Sequence, residues 1–177
     1  LQTGLTAHFT FDGPDVSGTT VANKGSTGTA GLLSNEAYVT TGKLGQGVAG
    51  DGVNDWVQLG GASTQMDSYI STTEGTISVW YKPEGSVASN LNVYSLEGVM
   101  VDGGLYVGIH RGIDTDDGNV DRLWVYNWDS NADQIGIEYN VGEWINIVWQ
   151  HVGGTLYAYK NGELVKTLPI HQNRVLG

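Results

Sequence analysis

A chain of 177 residues suffices for one domain with a full core and is short for two. Its 19 acidic side chains against 8 basic ones give a formal charge of −11, which opposes binding to nucleic-acid phosphates and to anionic membranes. It has no cysteine, hence no disulfide framework, thiolate nucleophile or cysteine zinc site, and no apolar run of the roughly 18 residues that a membrane-inserted helix needs.

Glycine occurs 27 times and proline 3 times, without a collagen-like period, which predicts many short elements joined by tight turns. Over 5–11, Leu5, Ala7, Phe9 and Phe11 alternate with Thr6, His8 and Thr10, the period of two of a half-buried strand. From Gly13 to Lys43 the chain is rich in Gly, Ser, Thr and Asn, predicting long surface excursions with at most one strand, near Ala37–Thr40. GDGVNDWVQLG (50–60) reads either as a tight turn or as a loop offering Asp51, Asn54 and Asp55 to a cation or a sugar. Over 76–82, Ile77, Val79 and Tyr81 alternate with Ser78, Trp80 and Lys82, and Pro83 then ends the ladder.

The segments 104–110, 122–128, 134–140, 143–152 and 155–168 alternate in the same way. In the last of them Asn161-Gly162 separates two alternating runs, the signature of a type I′ hairpin whose two central residues both take positive φ. No window of 11 residues carries helical apolar spacing with caps. The class is therefore all-β, and strand spacings of about 8–12 residues predict a two-layer antiparallel β-sandwich.

The motifs GLTAHFTFDG (4–13), TTGKLGQGV (40–48), DGVNDWVQL (51–59), TISVWYKPE (76–84) and GEWINIVWQHVGGTLYAYKNGELV (142–165) follow one another in an order that resembles the concanavalin A-like jelly-roll domains of the laminin-G-like group. The resemblance covers nearly the whole chain. It implies a single jelly-roll domain over 1–177, in a secreted or cell-surface protein, that binds carbohydrate or protein and often holds calcium. It places Asp12 as the acid that helps hold a structural calcium and assigns Trp80, Trp144 and Trp149 to the core; Asp51 is the second metal candidate. It turns 51–55 into a turn between two paired strands, with Asp51 and Asp55 capping backbone amides. Domains of this group continue past the Asn-Gly hairpin, so the resemblance also implies that the last strands are missing from 1–177. A neighbouring chain or subunit would then complete the sheet edge beside 5–11.

Glycoside hydrolysis needs two carboxyl groups about 5–9.5 Å apart on one substrate. Some glycosidases of this fold carry a Glu-x-Asp-x-(x)-Glu strand, and Glu97, Glu138 and Glu143 all lack that continuation. His8, His110, His151 and His171 are scattered, without zinc-ligand spacing, and no Gly-x-Ser-x-Gly elbow or phosphate loop occurs. DTDDGNVD (114–121) concentrates oxygen ligands, including Asp114 and Asp116, in a Gly-containing loop that could bend around calcium, though its spacing is not that of an EF-hand. Trp124, Tyr126 and Trp128 recur at every second residue and share one strand face. Such a row either offers flat C–H sugar faces a platform or packs between sheets, with Leu123 and Val125 turned outward.

The resemblance and the residues together imply a non-catalytic extracellular recognition module. Its expected ligand contacts are Trp124, Tyr126, Trp128, Asp114 and Asp116, and a structural calcium is expected at Asp12 and Asp51. The alternatives are an assembly domain of an extracellular filament, adhesin or virion and, less well supported, a glycoside hydrolase-like enzyme.

Overall fold

The computed structural model describes residues 3–51, 53–59, 74–85, 97–101, 107–114, 120–127 and 134–169. They belong to two compact units, Leu1–Ile70 and Ser71–Leu176, and the strands of both pair antiparallel. The architecture is an all-β sandwich of antiparallel sheets.

In the first unit the expected strand at 5–11 does not form. The segment is held by a turn instead of a ladder. Asn23 Oδ1 accepts from the His8 amide at 2.9 Å and from the Gly25 amide at 2.8 Å. The amides of Lys24, Ser26 and Thr27 donate to the carbonyls of His8, Leu5 and Thr6. Gly25 is needed for this approach, since a Cβ there would lie 2.3 Å from the Thr6 carbonyl oxygen. Phe11 takes φ +60, which ends any extended run, and its ring stacks on Phe9 at 6.4 Å.

The region 13–43 holds more strands than its composition predicts. After a 3₁₀ turn at Gly13–Asp15 come β1 (Val16–Ser17), β2 (Thr20–Val21), β3 (Gly31–Ser34) and β4 (Tyr38–Thr41). β5 (Gln46–Ala49) pairs with β4, and β6 (Trp56–Gln58) closes a sheet of order β1-β2-β3-β6. The two-residue strands leave no readable alternation, but Val21 of β2 and Leu33 of the four-residue β3 are buried. The strands that flank 50–55 are expected to pair with each other, but β5 pairs with β4 and β6 with β3.

In the second unit β7 (Glu74–Tyr81), β8 (Glu97–Val101), β9 (Val107–Asp114), β10 (Val120–Asn127), β11 (Gln134–Ile137), β12 (Ile145–Val152), β13 (Thr155–Lys160) and β14 (Glu163–Pro169) form two sheets. Their orders are β11-β10-β9-β8 and β14-β13-β12-β7. Ile109, Leu123, Val125, Ile135 and Ile137 of one sheet are buried, as are Ile77, Ile145, Ile147, Trp149, Leu156 and Ala158 of the other. Burial along β12 alternates for seven residues, as its sequence predicts. Asn161 and Gly162 adopt φ 51 and φ 86, the expected hairpin turn.

The three tryptophans assigned to the core separate. Trp149 is 1% exposed, Trp144 is half-buried and Trp80 is 39% exposed. Trp80 shares the outward parity of Thr76 and Ser78 on β7, so the strand that buries Ile77 turns Trp80 out.

Candidate functional site

The outward face of the β9–β10–β11 region is built by strand parity. Leu123 and Val125 are fully buried, so Trp124 between them lies on the opposite face, where it is half-buried. This reverses the packing alternative for Trp124, in which Leu123 and Val125 would face outward. The backbone register sets Trp124 opposite Gly136 on β11 and His110 on β9. Arg122, two residues earlier on the same face, reaches Glu138 Oε1 at 3.2 Å through Nη1. Tyr126 pairs through its backbone with Gly108 and Gln134. Trp128 lies outside the described residues, as does Asp116, while Asp114 ends β9 with its backbone paired to Val120.

The sheet formed by β7 and β12–β14 has a different outward face. There Asn146 Nδ2 donates to Ser78 Oγ at 3.1 Å, Gln150 Nε2 to Thr76 Oγ1 at 3.4 Å, and the Tyr159 hydroxyl to Gln150 Oε1 at 3.3 Å. These side chains answer one another's hydrogen-bonding needs across the strands.

A third cluster centres on Arg111, which was not picked from the sequence, and takes in Asp121, the last acid of the 114–121 segment. Arg111 is 1% exposed and its inward register, beside Leu123, carries a guanidinium into the apolar layer. Nη2 lies 2.7 Å from Asp121 Oδ2, and Nε donates to the same carboxylate and to the Tyr139 hydroxyl. Nη1 donates to the Glu84 carbonyl and Nη2 to the Gly85 carbonyl, while the guanidinium carbon sits 5.3 Å above the Tyr139 ring. Burial, with the Asp121 carboxylate beside it, pushes the Tyr139 phenol well above its ordinary pKa, so the phenol is protonated at neutral pH. The cluster binds β9, β10, the chain after β11 and the turn at 84–85 together. The alternation Ile109, Arg111, Ile113 was its signal: a cation at an inward position of a strand.

The expected calcium ligands are engaged with the backbone. Asp12 Oδ1 accepts from the Gln46 amide at 2.8 Å, while Gln46 Oε1 accepts from the Gly13 amide. Gly45, at φ +64, leaves the space for that carboxylate, since a Cβ there would lie 2.3 Å from Asp12 Oδ1. Asp51 Oδ1 accepts from the Val53 amide at 2.8 Å, and Asp55 accepts from the Asp51 and Glu36 amides. Among the described residues no three His, Asp or Glu side chains converge as a metal site. Asp12 and Asp51 each commit one carboxylate oxygen to a backbone amide.

His151 is buried, 6% exposed, with its ring edge-on to Trp149 at 6.2 Å and Nε2 without a hydrogen-bond partner. Desolvation holds its pKa below the ordinary histidine value. The imidazole is thus neutral in the fold, and below about pH 6.5 the unfolded chain binds a proton that the folded chain refuses. Its contribution is complete above that pH and declines as pH falls through the window beneath it. Urea unfolding at pH 7.5 and 5.0 is expected to show wild type losing stability relative to His151→Leu at the lower pH. Equal losses in both proteins would refute this.

No helix among the described residues is long and apolar enough to cross a membrane. No protein-family model and no curated protein matches the chain. A solved structure does: domain 4 of AbnA, a GH43 extracellular arabinanase from Geobacillus stearothermophilus, in complex with arabinotriose, has a TM-score of 0.57 and 18% identity over 93% of this chain and 75% of that one. The likeness is one of fold, an all-β sandwich carrying, in this chain, an outward tryptophan on one sheet.

Proposed function

We propose that the protein is a non-catalytic carbohydrate-recognition module of the concanavalin A-like, laminin-G-like kind that works outside the cell. Its glycan surface is the outward face around Trp124. The observation that carries this reading is the parity of β10: Leu123 and Val125 fill the core, leaving an indole on the face away from it. An aromatic face is electron-rich and meets the weakly positive C–H face of a sugar ring. The similar fold of an arabinanase domain solved with arabinotriose supports the choice of carbohydrate as ligand class. No bond-breaking role is assigned, because Glu97, Glu138 and Glu143 stand in no Glu-x-Asp-x-(x)-Glu strand.

A glycan array, followed by calorimetric titration of the best neutral oligosaccharide, tests this. Trp124→Ala is expected to weaken binding about fivefold or more, since a lost stacking contact is worth about 1 kcal/mol or more. The melting temperature should stay close to that of wild type, because the ring lies outside the core. Binding equal to wild type would remove Trp124 from the site.

A further inference from the structure

We infer that Gly136 is the residue that makes Trp124 a platform, and that the ligand is an uncharged sugar ring stacked parallel to the sheet. This rests on the reading of that face as the glycan surface. A Cβ built on Gly136 would lie 3.1 Å from Trp124 Cζ3 and 3.4 Å from Cη2. Those two atoms form the far edge of the indole's six-membered ring. The ring therefore leans from β10 across to β11 and lies along the sheet, its far edge over the glycine that pairs with it. A standing indole would present only an edge; a reclining one presents a face.

The surroundings match such a ligand in shape and in charge. Arg122 also crosses Gly136, with Cδ 2.8 Å from the same hypothetical Cβ, and its guanidinium continues to Glu138. A ring stacked on the indole would have its hydroxyls within reach of a donor and an acceptor from this pair. On the β9 side the register puts Gly112 beside Arg122 and Gly108 beside Tyr126, with His110 between them opposite Trp124, so two of the three positions carry no side chain to obstruct a ring. Arg122 is matched by Glu138, and a chain of charge −11 repels anions, so uronic acids are disfavoured against neutral sugars.

The test is calorimetric titration of the full 177-residue chain with arabinotriose, xylotriose and cellotriose, and with trigalacturonate as the acidic probe. At least one neutral trisaccharide is expected to bind, and trigalacturonate to bind tenfold or more weakly than it. Gly136→Val should lift the indole and weaken that binding about tenfold while leaving the melting temperature near wild type, because valine suits a strand. Gly136→Ala, the smaller intrusion, should fall between the two and serves if the valine variant does not fold. Loss of binding in Trp124→Ala with wild-type binding in both Gly136 variants would overturn the reclining-ring inference and leave the glycan face standing. Wild-type binding in Trp124→Ala would overturn the reading of the face itself. Binding of trigalacturonate as tight as that of the neutral sugars would overturn the uncharged assignment.

Discussion

Replacing Asp121 with alanine is expected to destabilise the protein by about 3 kcal/mol or more, because it takes a carboxylate away from a buried guanidinium. Arg111 is 1% exposed, and Asp121 sets a carboxylate oxygen 2.7 Å from its guanidinium. The Tyr139 hydroxyl and the carbonyls of Glu84 and Gly85 remain as acceptors, but they carry no net charge. Arg111→Met is the milder change, since Asp121 has a 21% exposed side chain and keeps access to water once the cation is gone. The double variant Arg111→Met/Asp121→Ala should be more stable than Asp121→Ala alone, because removing both charges abolishes the desolvation penalty of the buried guanidinium. Urea unfolding midpoints at unchanged m-value give the comparison. An Asp121→Ala cost below about 1 kcal/mol would show that the guanidinium draws its compensation from water or from the neutral acceptors.

Trp149→Ala is expected to cost about 3–5 kcal/mol, the range for emptying a large aromatic site in a core. Trp149 pairs in register with Ile77 and Ala158 and abuts His151, so its removal opens space on a sheet buried around it. Trp80→Ala on the neighbouring β7 should cost under about 1 kcal/mol, as a residue 39% exposed loses little on truncation. Chemical denaturation of the two variants separates the cases. Similar losses would mean that exposure does not measure what Trp80 contributes.

These contrasts mark what could be read along the chain. Strand-period alternation at 76–82, 122–128 and 143–152 and the Asn161-Gly162 turn sufficed for the all-β class, because both are local: one records a sheet with a wet side, the other a backbone that needs positive φ twice. The 5–11 alternation misled for the same reason. Phe9 and Phe11 do share a side, yet the polar partner of that backbone is the Asn23 turn and not a strand. Asp12 and Asp55 read as candidate ligands, and their partners, the amides of Gln46 and Glu36, lie 34 and 19 residues away in the chain. The sequence by itself determined the class, the hairpin turn and the fact that Trp124 and Leu123 face opposite ways. Only the tertiary structure decided which of them faces inward, because a period of two is symmetric between its faces and the choice is made by the sheet that packs against one of them.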